Sequence, residues 1–300
     1  MARKQLRGMG VALTTPFTPT LEIDYEALGR HLDFLIEGGA DFIVALGTTA
    51  ETPTLTEDEK EKMLAFIMDR IDGRVPLVVG MGGNSTRALT EIIRKNEALK
   101  EADAILSVVP YYNKPTQEGI YRHFAEVAKV SPVPVILYNI PGRTGVNMEV
   151  DTVIRLVEEF PGKISGIKEA SGNMSQAGLI MTRRPQGFTV LSGDDSLAHT
   201  MIGLGGDGVI SVVGNALPKE FTEMIKLSLD PETHDSARTL HSGFSALYSL
   251  LFKDGNPAGI KALLHEIFPW YGNCLRLPLV EATPATTKAL AAALAAFRAR

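Results

Sequence analysis

Ile164-Ser165-Gly166-Ile167-Lys168-Glu169-Ala170 sets a lysine among short apolar residues, where a buried β-strand should end. Lysine is seldom left in such a place unless it is paired or used chemically. Desolvation disfavours the ammonium and yields a neutral amine, the form that attacks a ketone. The competing reading is an ordinary strand-end lysine whose head stays in solvent. What separates the two is the company Lys168 keeps elsewhere in the chain.

Seven other Val/Ile/Leu-rich runs, at 10–14, 41–45, 77–79, 104–108, 135–138, 189–191 and 208–210, read as strands like 165–168. Amphipathic stretches at 25–37, 57–70, 86–100, 117–129, 149–158, 174–182, 196–204 and 219–229 alternate with them as helices. Eight βα units in this rhythm predict an α/β fold, a (β/α)8 TIM barrel. An open doubly wound sheet is the alternative. It would bring a phosphate-cradling glycine loop after the first strand, and Thr14-Thr15-Pro16-Phe17 is not one. Past residue 229 the strands stop, and 232–252, 257–267 and 284–299 read as helices. The expected organisation is a catalytic barrel at 1–229 and a C-terminal helical domain at 230–300.

Composition narrows the function. The 300 residues carry a net charge of −5 with no basic block, which argues against nucleic acid as a partner. The longest apolar run, 201–217, contains five glycines and Asp207, unlike a membrane span. Residues 1–8 are basic but lead into no apolar run, so no secretory signal is expected. The one cysteine, Cys274, excludes an intramolecular disulfide and fits a cytoplasmic protein. Cys274 itself reads as a small packed hydrophobe. None of the six histidines forms a ligand-spaced pair at a strand end, so no metal is expected.

In a barrel of this kind the chemistry lies at the carboxyl ends of the strands. Those ends here carry Gly47-Thr48-Thr49-Ala50-Glu51, Pro110-Tyr111-Tyr112-Asn113, Tyr138-Asn139-Ile140-Pro141-Gly142-Arg143-Thr144-Gly145, Lys168, and Gly193-Asp194-Asp195. Thr48 and Thr49 read either as a helix-capping turn or as a nest of hydroxyls and N–H groups for a carboxylate. Tyr138 reads as a barrel filler or as a proton shuttle relayed by Thr48. Tyr111 and Tyr112 suit an aromatic interface. Arg143 offers a fork for a second carboxylate, or a surface ion pair. Together they describe a lysine Schiff-base aldolase or lyase acting on a small keto acid.

These motifs, with PYYNKP at 110–115, GIKEASG at 166–172, LSGDD at 191–195, GVISV at 208–212 and RLPL at 276–279, resemble the dihydrodipicolinate synthase / N-acetylneuraminate lyase family. The resemblance runs from about residue 8 to 279. It implies that Lys168 forms an imine with pyruvate, whose carboxylate rests on Thr48 and Thr49. Tyr138 moves protons, linked by Thr48 to a Tyr112 that crosses a dimer interface containing Tyr111. Arg143 receives the carboxylate of L-aspartate 4-semialdehyde, while Gly193 and the Ile210 carbonyl line the bound substrate. A homotetramer, a dimer of tight dimers, and no cofactor are implied as well. Arg143 favours the synthase branch, since sialic acid lyases usually lack this R-T-G segment. The alternatives are a lyase or dehydratase of the same family, such as N-acetylneuraminate lyase, or a catalytically dead keto-acid sensor.

Three departures from the family pattern stand out. Ala50 replaces a glycine and would be strained at a positive φ. Asn256-Pro257-Ala258-Gly259 lacks the second proline of N-P-x-P. At the positions matching the family's L-lysine effector site, Asn84 and Tyr111 are retained. Glu57 and Lys60 stand in place of two histidines, and Ala88 in place of a glutamate. L-Lysine titrated into a turnover assay is therefore expected to inhibit weakly or not at all; half-inhibition at low-millimolar concentration contradicts this.

Overall fold

The computed structural model describes residues 6–300. Its strands β1 (Gly8–Ala12), β2 (Phe42–Ala45), β3 (Leu77–Gly80), β4 (Ala104–Val108), β5 (Val135–Asn139), β6 (Ile164–Glu169), β7 (Thr189–Ser192) and β8 (Gly208–Ser211) follow one another in chain order around a closed barrel. The predicted TIM barrel is what forms. β1, β2 and β5 are buried along their whole length, as expected of parallel strands covered on both faces. Five of the intervening helices start on side-chain caps. Asp24, Thr56, Ser85, Thr116 and Asn173 accept the N–H groups of Ala27, Glu59, Ala88, Gly119 and Gln176. No helix among the described residues is long and apolar enough to cross a membrane.

The chain packs as two compact units. One is built on Pro76–Ile210 and contains β3 to β7. Its core includes Val79, Ile105, Ile120, Phe124, Leu137, Ile167 and Val190, all inaccessible to solvent. The other joins Met9–Val75 to Ser211–Arg300, so that β2 shares a unit with the C-terminal helices His234–Gly243, Ser245–Lys253, Ala258–Ile267 and Pro284–Arg298. Its interior is aromatic. Phe221 and Phe244 meet edge to face at 5.2 Å, and His31 and Tyr271 do so at 5.3 Å.

Several boundaries differ from the sequence expectation. The helix expected over 86–100 ends at Lys95, because Asn96 turns extended, and a 3-10 turn covers Glu97–Glu101. The stretch 232–252 is two helices that meet at Phe244. The strand expected at 10–14 ends at Ala12, and the N–H of Thr14 turns to the Asn215 side chain at 3.3 Å.

One register decides where the chemistry falls. β5 and β6 start with Val135 opposite Ile164, but Ile136 then faces Gly166, leaving Ser165 as an unpaired bulge. That single extra residue brings Tyr138 opposite Lys168 and Asn139 opposite Glu169.

His31 is fully buried in the second unit. Its Nε2–H donates to the Asn215 carbonyl at 3.0 Å. Its Nδ1 lies 3.4 Å from a Thr14 hydroxyl that itself accepts from Tyr271. Burial pushes its pKa down to about 4, the Asn215 contact opposing only in part. The folded ring therefore refuses a proton that the unfolded chain takes up below about pH 6.5. Stability should fall as pH drops from 6.5 to 4, with up to about 3 kcal/mol traceable to this one ring. Chemical denaturation across that range should show a shallower decline in His31→Asn; an equally steep decline in the variant contradicts the assignment.

Candidate active site

Lys168 is the penultimate residue of β6 and is only 7% exposed. Its Nζ sits 4.3 Å from the centre of the Tyr138 ring, the residue facing it across the β5–β6 pair. Strand alternation turns the next pair, Asn139 and Glu169, to the opposite face. Gly193, just past β7, leaves space for the lysine. A Cβ built there would stand 2.5 Å from the Ala170 Cβ and 3.0 Å from the Lys168 Cε. Ile210, on β8, is buried in the same unit.

The loops above β4 and β5 are tied together. Tyr112 is held at φ 73° and is 88% exposed, an unusual state for a large aromatic. Its N–H reaches the carbonyl of the buried Thr144 at 3.4 Å, next to an exposed Arg143 on the turn Pro141–Thr144. The Tyr111 carbonyl accepts from Asn84 Nδ2 at 3.2 Å, and Asn113 Nδ2 donates to the Asn84 carbonyl at 2.9 Å.

In the second unit, Thr48, Thr49 and Ala50 form a 3-10 turn held at nearly every residue. Thr52 Oγ1 donates to the Gly47 carbonyl at 2.8 Å, and Thr15 Oγ1 donates to the Ala50 carbonyl at 2.7 Å. Asn256 Nδ2 donates to Thr49 Oγ1 at 2.9 Å. The positive φ of this segment falls on Glu51, at 56°, so Ala50 is unstrained in place of the family's glycine. Gly259, where the second proline is missing, lies against the Leu251 backbone. Any Cβ there would come within 2.3 Å of the Leu251 carbonyl oxygen.

Two residues escaped the sequence reading. Glu51 follows the threonines, is buried, and pairs with a fully buried Lys261. Lys261 also donates to the Cys274 carbonyl at 2.7 Å, and the Arg276 N–H donates to the second Glu51 oxygen at 3.1 Å. Burial pulls the Lys261 pKa down to about 8, with the Glu51 carboxylate opposing. The Arg276 guanidinium grips Glu59 with bonds of 2.6 and 2.8 Å and holds its carboxyl down to about 2. A separation of 210 residues gives Glu51 and Lys261 no local pattern by which to find the pair.

The fold and the chemistry gathered at its strand ends are those of a (β/α)8 lyase. The pattern of the Dihydrodipicolinate synthetase family matches residues 5–297, and the chain belongs to that family. It is 51% identical over 280 residues to a 4-hydroxy-tetrahydrodipicolinate synthase of Parabacteroides distasonis, covering 93% of each chain. The crystal structure of dihydrodipicolinate synthase from Aquifex aeolicus superposes with a TM-score of 0.92 at 41% identity, covering 98% of both chains. A chloride-inhibited dihydrodipicolinate synthase from Acinetobacter baumannii, complexed with pyruvate, does so with 0.92 at 37%, covering 97% of this chain and 99% of the other.

Two substitutions test this geometry. Gly193→Ala should displace the Lys168 stem and lower kcat/KM on the order of 10²-fold, with a modest change in Tm; unchanged turnover contradicts the clash. Lys261→Met should strand the Glu51 carboxylate and cost about 3–5 kcal/mol in denaturant titrations. Pairing it with Glu51→Leu should recover much of that loss, and no recovery would show that the pair is not the cause.

Proposed function

We infer that this chain condenses pyruvate with L-aspartate 4-semialdehyde to 4-hydroxy-tetrahydrodipicolinate, as a lyase of lysine and diaminopimelate biosynthesis. The observation that carries the reading is the buried Lys168 amine over the Tyr138 ring at a strand end. The family membership and the relatives' names support the same activity.

Lys168 Nζ adds to the pyruvate ketone carbon, and water leaves to give a protonated imine. That imine acidifies the methyl group, and loss of a proton yields an enamine. The enamine carbon attacks the aldehyde of the second substrate. The substrate's own amine then attacks the imine carbon, closes a six-membered ring and expels Lys168. The lysine is the electron sink throughout, so the cycle runs without a metal or organic cofactor.

In this reading Thr48 and Thr49 hold the pyruvate carboxylate, and their firmly bonded turn suits that task. Gly193 and the Ile210 carbonyl border the keto acid. Tyr138 passes protons through Thr48 to Tyr112, and Arg143 receives the carboxylate of the semialdehyde. An exposed Tyr112 ring fixed in a left-handed conformation suits entry into the site of a second copy, with Tyr111 in the contact. The assembly proposed is therefore a homotetramer, a dimer of tight dimers. The proposed organisation is a catalytic barrel at 1–229 followed by a helical domain at 230–300, and the proposed setting is the cytoplasm.

Borohydride added with pyruvate should inactivate the enzyme and leave a reduced pyruvyl adduct on Lys168, read by peptide mass spectrometry. Parallel assays should show turnover of aspartate semialdehyde and none of N-acetylneuraminate. An adduct with the opposite substrate preference would move the chain to the lyase branch, and no adduct would end the Schiff-base reading.

A further inference from the structure

We propose that Glu169 is a positioning residue that fixes the Arg143 turn, and through it the recognition of the second substrate's carboxylate. The proposal rests on the condensation reading above.

Glu169 is 1% exposed, and no lysine, arginine or histidine among the described residues lies within ion-pair distance of it. A buried carboxylate survives without a cation when several donors converge on it. Here three do. Oε2 accepts from Asn139 Nδ2 and from Gln176 Nε2, both at 3.0 Å, and Oε1 accepts from the Ser171 N–H at 2.7 Å.

An ionised carboxylate only accepts, so it dictates which end of each neighbouring amide faces it. With Nδ2 turned to Glu169, Asn139 presents Oδ1 to the Met148 N–H at 3.0 Å, and Nδ2 also donates to Asn147 Oδ1 at 2.8 Å. With Nε2 turned to Glu169, Gln176 presents Oε1 to Asn147 Nδ2 at 2.8 Å. Asn147 and Met148 are the return leg of the segment that begins with the turn Pro141–Thr144, where Arg143 sits. Gln117 fastens the same leg from outside, through the Asn147 carbonyl at 2.8 Å and the Glu149 N–H at 3.0 Å.

One negative charge thus selects a single hydrogen-bond polarity for three amides, and that polarity places the loop. Glutamine at 169 would offer one oxygen and one NH2 to groups that need two oxygens. The amides could then flip, and the loop would lose its unique position. The charge lies on the face opposite Lys168 and Tyr138, so the effect should separate by substrate.

The test is steady-state kinetics on Glu169→Gln and on Asn147→Ser, which disturbs only the loop side if the first variant folds poorly. Pyruvate-dependent borohydride inactivation is measured alongside. The expected result is a KM for aspartate semialdehyde raised on the order of tenfold, with the KM for pyruvate and the trapping rate unchanged. Equal shifts in both KM values, or no shift in either, overturn the proposal. Wild-type protein that pyruvate and borohydride fail to inactivate overturns the condensation reading itself, and this proposal with it.

Discussion

The pairing of β5 with β6 is the constraint on which the site depends. Ser165 bulges from the pair, and every residue after it is advanced by one position. Without that step Lys168 would lie opposite Asn139, and the amine would lose the tyrosine ring beneath it. With it, two layers form at the same strand ends. Tyr138 and Lys168 share one face, and Asn139 and Glu169 share the other. The first layer holds the Lys168 amine over the Tyr138 ring, and Asn139 of the second is hydrogen-bonded to Asn147 and Met148, downstream of the turn that carries Arg143. A bulge beside an active site that re-aims a side chain is a recurrent use of this irregularity.

The threonine turn is held by a different device with the same logic. Glu51 is buried like Glu169, but its charge is met by Lys261 and by the Arg276 N–H. A buried ion pair gains little net stability, since desolvation of both charges offsets their attraction. Its value is geometric, because neither partner can move without leaving the other uncompensated. Asn256 acts likewise on Thr49. Both holding residues lie in the helical region after residue 229, so that region contributes to the turn as well as to packing.

Much of this was legible in the sequence, for physical reasons. Strands buried on both faces read as short apolar runs, and a lysine or tyrosine at the end of such a run stands out. Lys168 and Tyr138 stand out in this way, whereas Thr48, Thr49 and Arg143 lie in turns beyond the strand ends and are marked by their motifs. What stayed hidden depends on register and on long-range pairing. Nothing local marks Ser165 as the bulged residue. Lys261 reads as an ordinary helix lysine until Glu51 is seen beside it. The break at Asn96 arises where the backbone turns extended inside an otherwise helical pattern. Ala50 looked strained by comparison with the family's glycine, whereas the left-handed conformation belongs to Glu51.

The decisive measurement is a crystal structure of the protein soaked in pyruvate. Continuous density is expected from Lys168 Nζ to the keto carbon, with the adduct's carboxylate against Thr48 and Thr49. A lysine with no adduct at full occupancy, or pyruvate bound away from the β5–β6 strand ends, would contradict it.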